Sequence, residues 1–421
     1  MYIFSVGTFG LIIVLLTALL LIRNLAHKTL GISLDTLLIL ALLLRILWAI
    51  IVIMLEDKGL RYFVYDDETY HLFAMGERWV DSLNGYHVFI DYIYNLFGHS
   101  SLNGRLVNLF FSLYTFYPVA IIEYNMTNGE SMLATKLTAL SPFMVFSSFF
   151  EIKDIGLMFF YTCLYAIINQ HQGKISVKQA VMLLIIAVFS ESLRHGAGVL
   201  PIGIFVLNFC LKGIGTSKLQ RILTATIEIF IGVFMVLYVG MDYITELTVT
   251  LDRYQRWIVT QFSEYSVYNW FVVTSPVDIW KLPFCFLLYV MQPLDLLDGS
   301  GRFFAEFGMV AKVFEVPILL MSIVFLPKYI KQEKWASLIL ILPLAFLSGV
   351  NLTNAREGLY LYPLLYIVFS SGLNNMNMQQ CKNVVTKTYN DVVIWRNAWI
   401  TATVLWVLVV SFQLVSKVEL L

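Results

Sequence analysis

Residues 34–55 read LDTLLILALLLRILWAIIVIML, and this stretch decides the fold class of the chain. A helix of about 20 apolar residues is long enough to span the hydrocarbon core of a bilayer. The whole chain has the same character, because 59% of its 421 residues are hydrophobic, only 13% are charged and the mean hydropathy is +0.77. We therefore predict an all-α, polytopic integral membrane protein in which residues 1–421 form a single transmembrane domain.

Similar apolar runs recur along the chain and predict about twelve transmembrane helices. Residues 279–297 are also apolar, but two prolines interrupt them, so we expect a re-entrant or interfacial segment there. The predicted spans are residues 2–22, 34–55, 105–122, 131–150, 155–169, 179–191, 196–211, 222–240, 309–326, 335–350, 357–373 and 397–416.

The distribution of Lys and Arg among the loops predicts the orientation in the membrane. Basic residues outnumber acidic ones in one set of loops, and acidic residues outnumber basic ones on the opposite side. The basic side is expected to face the cytoplasm, with the chain in the plasma (inner) membrane and both termini outside. The two long loops, 56–104 and 241–308, then also lie outside, and we expect the active surface to be extracytoplasmic.

The overall charge and the cysteines exclude some classes of function. Lys and Arg total 28, as do Asp and Glu, so the net charge of zero gives no sign of a nucleic-acid partner. The four cysteines are scattered, without the spacing of a metal site or a disulfide framework. The partner that the composition does predict is the lipid bilayer itself.

Residues 65–71 read YDDETYH and place three consecutive carboxylates in the first long loop. Residues 67–83 have the apolar spacing of an amphipathic helix lying at the membrane interface with its polar face up. Asp67 and His71 are four residues apart and share a helical face, so they can meet. Asp66 could instead be the helix N-cap, with Asp67 and Glu68 complementing the helix dipole. A carboxylate at this place can act as a general base or hold a divalent metal.

Four short stretches follow one another in the order of the motifs of a known family. Together they resemble the GT-C glycosyltransferases, in particular family 39 and the protein O-mannosyltransferase-like enzymes, over about residues 34–373. The stretches are Asp67-Glu68-Thr69-Tyr70; Leu96-Phe97-Gly98-His99-Ser100 with Gly104-Arg105-Leu106; Ser141-Pro142 with Lys153-Asp154; and Arg356-Glu357-Gly358-Leu359-Tyr360 with Pro363.

The resemblance implies a polyprenyl-phosphate-linked sugar donor, a glycan, lipid or protein acceptor, and inversion at the anomeric carbon. Such a displacement needs a base at the acceptor hydroxyl and positive charge at the departing phosphate. We assign the base to Asp67, with Asp66 next, and expect Glu68 to orient the acceptor or tune the base. His71 and Tyr70 are expected to support this site. The sequence assigns no cofactor with certainty, and a divalent metal stays possible.

Several cations at the predicted outer ends of spans could hold the donor phosphate, since Arg can bind two of its oxygens at once. Any one of them could instead be snorkelling toward lipid headgroups. Asp154 could be a supporting acid or a partner for Lys153. The candidate phosphate-binding residues are Lys153, Arg194, His195, Arg302 and Arg356.

Arg45 lies in the middle of a predicted span, and we predict that it pairs with Glu228 as part of the scaffold. Two alternatives to single-sugar transfer stay open. One is a polysaccharide polymerase that joins lipid-linked repeat units, and the other is a transporter or flippase for a lipid-linked sugar. The transporter is the weaker alternative. It predicts charged residues deep in many spans, whereas only Arg45 and Glu228 clearly lie inside spans here.

Overall fold

The structure is a computed structural model that describes residues 5–62, 65–79, 84–170, 177–194, 197–212, 280–281, 303–333, 337–341, 343, 358–380 and 400. Within these ranges the chain is helical and has no strand. The helices are α1 (Val6–Leu30), α2 (Asp35–Glu56), α3 (Tyr65–Ala74), α4 (Gly85–Phe97), α5 (Ser101–Thr127), α6 (Leu133–Leu140), α7 (Pro142–Ser147), α8 (Lys153–Gln170), α9 (Val177–Leu193), α10 (Val199–Lys212), α11 (Phe303–Val313), α12 (Val316–Gln332) and α13 (Tyr362–Gln380), the last preceded by a 3₁₀ turn at Leu359–Leu361.

Helices α1, α2 and α5 are long and apolar enough to cross a membrane. The expectation of an all-α membrane protein is confirmed at this level. The predicted span 222–240 and nearly all of 397–416 lie outside the described residues, as do most of 335–350 and most of the loop 241–308. Glu228, the predicted partner of Arg45, lies outside them too.

Helix α5 is the centre of the described structure. It packs against α1, α4, α6, α8 and α13, and most of its residues are buried. This explains a polar content that is high for a membrane-spanning helix. Most of its Asn, Ser, Thr and Arg side chains are buried against other helices, whereas in lipid each would lack a hydrogen-bond partner.

Two predicted spans are broken into shorter helices. The span 131–150 consists of α6 and α7, because Pro142 cannot continue the preceding helix and Ser141 caps the next one by accepting a hydrogen bond from the Met144 N–H. The span 309–326 consists of α11 and α12, which meet at Glu315. The two breaks are joined, because Glu315 accepts hydrogen bonds from the hydroxyls of Ser141 and Tyr366.

Both ends of the short helix α6 are capped by charged side chains of other helices. At its N-terminal end, Glu123 of α5 accepts hydrogen bonds from the backbone N–H groups of Ala134 at 2.9 Å and Thr135 at 2.8 Å. At its C-terminal end, Arg45 of α2 donates to the Ala139 carbonyl at 2.6 Å. These are the signs of charge that complement a helix dipole. The buried charges of Glu123 and Arg45 therefore cap the two ends of α6.

Candidate active site

Helix α3 carries the acidic run and is shorter than predicted. It begins at Tyr65, so Asp66 lies in its first turn rather than at the cap. It ends at Ala74, whereas the amphipathic pattern predicted a helix to residue 83. The cause is Gly76, which adopts the left-handed conformation with φ 74° and lets the Glu77 N–H bond back to the Leu72 carbonyl at 2.9 Å.

The polar face of α3 turns inward instead of upward. Asp67, expected on an upward-facing polar surface, is only 1% exposed, and Tyr70 is only 2% exposed. This face is buried because it has polar partners there, whereas hydrophobic spacing alone says nothing about such partners. The prediction that the polar face of this helix points up is therefore wrong.

The partner of Asp67 is the short connection between α7 and α8. Its Oδ1 accepts a hydrogen bond of 2.7 Å from the backbone N–H of Glu151. The amide of Asn108, in α5, donates to both flanking carbonyls, at 2.6 Å to Phe150 and 3.0 Å to Ile152. Buried backbone outside a helix needs such partners. Together these bonds fix the backbone on both sides of Glu151.

The Glu151 side chain is fully buried against Gly104 of α5. A Cβ at position 104 would lie 2.4 Å from Oε1 and 2.8 Å from Cδ of Glu151. Glycine is therefore required where the carboxyl group rests on the helix. Oε1 accepts a hydrogen bond from the Tyr94 hydroxyl at 2.6 Å, whereas Oε2 is buried without a hydrogen-bond partner among the described residues.

Two acids are thus buried in one region, with Asp67 bonded to the backbone of Glu151 and the Glu151 carboxyl group lying against Gly104. Burial raises the pKa of Glu151 well above its usual range, and the neighbouring Asp67 carboxylate raises it further, while Tyr94 and Arg105 act in the opposite direction. Neighbouring acids with different environments are a recurring arrangement in acid–base catalysis. The raised pKa of Glu151 favours its protonated form.

His71 and Tyr94 extend this site toward the surface. The His71 Nδ1 lies 2.8 Å from the Tyr94 hydroxyl, and the side chain of His71 is 18% exposed. Burial, together with the charges of Arg105 and Arg61, lowers the pKa of His71 to about 4. His71 is therefore neutral near pH 7. Its bonded partner is Tyr94, and it lies 4.0 Å from Glu151 Oε2.

Arg105 provides the buried positive charge next to the two acids. It is 1% exposed and donates to Glu56 Oε2 at 2.8 Å and to the Arg61 carbonyl at 2.8 Å. It thereby fixes the chain after α2 onto the start of α5. Of the supporting residues predicted here, Tyr70 accepts a hydrogen bond from the Asn84 amide at 3.2 Å, which ties α3 to the N-cap of α4.

The predicted phosphate-binding residues are only partly described. Arg194 pairs with Asp154 at 3.3 Å and lies 5.4 Å from the centre of the Tyr360 ring. Asp154 therefore has Arg194 as a partner, an arrangement that the sequence reading did not consider. His195, Arg302 and Arg356 lie outside the described residues.

The remaining predicted residues lie at the same end of the structure. Burial lowers the pKa of His87 to about 4, with the Lys153 charge adding to the effect and the Asp66 charge opposing it, so both charges lie near this ring. Lys153 and Asp154 begin α8, two residues after Glu151. The first turn of α3, the start of α8 and Arg194 after α9 therefore contribute to one region.

Sequence reasoning missed Glu151, Tyr94 and the role of Asn108. Glu151 follows two phenylalanines at the end of a predicted span, and an acid in such a place is a usable signal. Tyr94 and Asn108 are ordinary helix residues in an aromatic-rich chain and carry no signal of their own. Arg105 and Gly104 were noticed only as part of a motif.

No group of three or more His, Cys, Asp or Glu side chains in the described ranges is arranged to hold a metal ion.

An apolar cavity of about 360 Å³ lies beside this region, between α4, α5, α8 and α9. Its walls include Tyr86, Phe89, Phe111 and Phe160. Leu193, the residue before Arg194, also lines it.

Comparison with family models, with curated proteins and with solved structures finds no match to this chain. The class of protein that the fold defines is therefore the broad one, an all-α integral membrane protein, with a buried acid pair at one end of its central helix.

Proposed function

We propose that this protein is a membrane glycosyltransferase with about twelve transmembrane helices and the GT-C architecture. It transfers a sugar from a polyprenyl-phosphate donor to a glycan, lipid or protein acceptor at the extracytoplasmic face. The observation that carries the proposal is the buried pair of Asp67 and Glu151 with Arg105 beside it. Buried acids with perturbed pKa values are concentrated at catalytic sites.

In the proposed reaction, the acceptor oxygen attacks the anomeric carbon while the bond from that carbon to the phosphate oxygen breaks. The phosphate leaves with the electron pair, and the configuration inverts. The acceptor proton passes to Asp67. Glu151 is buried near Asp67, and the charge of each acid affects how readily the other binds a proton. Because Asp67 is only 1% exposed, the reaction also requires a rearrangement at this end that admits the acceptor.

The donor would lie along the α8–α9 side of the site. Arg194 and Lys153 supply positive charge for a phosphate. The apolar cavity ending at Leu193 matches the character of an isoprenoid chain attached to that phosphate. Arg194 would exchange Asp154 for the phosphate when the donor binds.

The buried charges of the other helices speak against a flippase. Arg45, Glu123 and Glu315 all bind helix ends or hydroxyl groups within the described structure. The polymerase remains the closer alternative, since it would use the same site, and product length separates single addition from chain growth.

The test is transfer of radiolabelled sugar from a panel of polyprenyl-phosphate hexoses and pentoses by the purified protein. We expect Asp67→Asn to lose transfer by about 10²-fold or more, the usual contribution of a general base. Asp57→Asn, an exposed carboxylate in the same loop, is the matched control and should retain full activity. Near-normal transfer by a folded Asp67→Asn protein would refute the assignment of the base.

A further inference from the structure

A chain of hydrogen bonds leads from the buried Glu151 to the surface. The Tyr94 hydroxyl lies 2.6 Å from Glu151 Oε1 and 2.8 Å from His71 Nδ1. Glu151 is fully buried, whereas the His71 side chain is 18% exposed. Three groups that can each accept and donate a proton therefore connect a dry carboxyl group to solvent.

We propose that Tyr94 and His71 form the path by which protons leave and reach the acid pair at Glu151. The inference rests on the proposed function for its role in turnover, since the acceptor proton must leave the pair before the next cycle. The path itself is a property of the chain that can be measured without any substrate. It makes Tyr94 and His71 proton-relay residues rather than supports for Asp67.

Proton release starts from the state in which Glu151 carries a proton on Oε1. In that state the Tyr94 hydroxyl, which donates to Oε1 when this oxygen is unprotonated, is turned toward His71 Nδ1. Glu151 gives its proton to the Tyr94 oxygen, Tyr94 passes its own hydroxyl proton to His71 Nδ1, and His71 releases the proton on Nε2 to water. The proton that Asp67 took from the acceptor then replaces the lost one on Glu151, so one proton has left the pair and Tyr94 is again a neutral phenol. The imidazole returns to its first tautomer by exchange with water.

The surroundings suit each member of the relay. Burial, with the nearby Asp67 charge, raises the pKa of Glu151 well above its usual range, which favours the protonated carboxyl group. His71 is neutral because burial lowers its pKa to about 4, and only a neutral imidazole can accept from Tyr94. The ionisable groups that face Glu151 from the surrounding helices are Glu56 on α2, Asp67 and His71 on α3, Tyr86 and Tyr94 on α4, and Arg105 on α5.

A purely structural Tyr94 is the competing explanation, and the variants distinguish the two. Tyr94→Phe keeps the ring and removes the hydroxyl. His71→Gln keeps an acceptor for Tyr94 but has no second nitrogen that exchanges a proton with water. Tyr114→Phe is the matched control, because its buried hydroxyl donates to the Leu15 carbonyl at 2.7 Å, away from the site.

The experiment is infrared spectroscopy of the full-length protein in detergent after transfer from H2O to D2O. The Glu151 carboxylic acid band is identified as the one that Glu151→Gln removes, and its exchange rate is followed. We expect exchange to slow by about tenfold or more in Tyr94→Phe and His71→Gln, since both break the proton path. Tyr114→Phe should exchange like the unaltered protein.

Unchanged exchange in folded Tyr94→Phe and His71→Gln proteins would overturn the relay, as would the absence of a carboxylic acid band assigned to Glu151. If the two variants slow the exchange but the unaltered protein transfers no sugar from polyprenyl-phosphate donors, the relay holds and the proposed function is refuted. If the unaltered protein transfers sugar but the variants exchange at its rate, the proposed function holds and the relay is refuted.

Discussion

At the scale of single residues, the absence of a side chain at Gly104 leaves the space that the Glu151 carboxyl group fills. The carboxyl group of Glu151 rests where any other residue at position 104 would place its Cβ. Asn108, one turn further along α5, holds the backbone around Glu151. The face of α5 that carries Gly104 and Asn108 thus determines where the buried acid lies.

Gly104→Ala tests this arrangement with the smallest change that the site offers. The new methyl group must displace the Glu151 carboxyl, at a cost of about 1–3 kcal/mol for overpacking. We expect a lower thermal midpoint and a clear loss of transfer activity. Gly203→Ala is the control, because a Cβ at Gly203 of α10 meets nothing within 4 Å. Equal behaviour of the two variants would contradict the packing argument.

At the scale of secondary structure elements, the described helices are held at their ends as well as along their faces. A helix as short as α6 leaves most of its terminal N–H and C=O groups without partners of its own. Glu123 and Arg45 supply those partners from α5 and α2. Arg45 also donates to the Ser112 hydroxyl from two of its nitrogens, at 3.0 and 2.8 Å.

Arg45→Met should therefore destabilise the protein substantially. It leaves the Ala139 carbonyl and the Ser112 hydroxyl buried without this donor, which costs about 1–3 kcal/mol for each group. Arg23→Met is the matched control, since Arg23 pairs with Asp35 at a partly exposed site and such pairs contribute about 0–1 kcal/mol. Thermal unfolding followed by tryptophan fluorescence would measure both. An equal shift for the two variants would argue against the capping role.

At the scale of the whole molecule, the acid pair lies at one end of the central helix. Arg105, near the start of α5, bonds to Glu56 at the end of α2, so the end of α2 and the start of α5 are on one side. Helix α5 is long enough to cross the membrane. The turn after α5 must then lie on the opposite side, which the distribution of basic residues predicts to be cytoplasmic.

This orientation can be tested by cysteine labelling in intact cells, in a background with the four native cysteines replaced. Lys58→Cys, an exposed position after α2, should react with a membrane-impermeant thiol reagent added outside. Glu130→Cys, an exposed position after α5, should react only after the membrane is permeabilised. The reverse pattern would place the acid pair in the cytoplasm and exclude an extracytoplasmic donor reaction.

The sequence predicted where helices lie along the chain better than which side of each helix is buried. Apolar runs located α2 and α8 to within about two residues, because span length and hydrophobicity are local properties. They placed the end of α1 at residue 22, although the helix continues to Leu30 through a polar segment. The end of α3 was misplaced because the left-handed turn at Gly76 interrupts an otherwise continuous pattern. The run of carboxylates was found, but its burial was not, since hydrophobic spacing treats every charged residue as solvent-facing.

The sequence by itself determined that this chain is a helical membrane protein with a concentration of acid in its first long loop. Only the tertiary structure decided that Asp67 meets Glu151, that Gly104 makes room for the carboxyl group, and that Tyr94 connects it to His71. Hydrophobicity is a property of each segment and can be read along the chain. Hydrogen bonds between distant residues depend on how helices pack, and no local pattern contains that information.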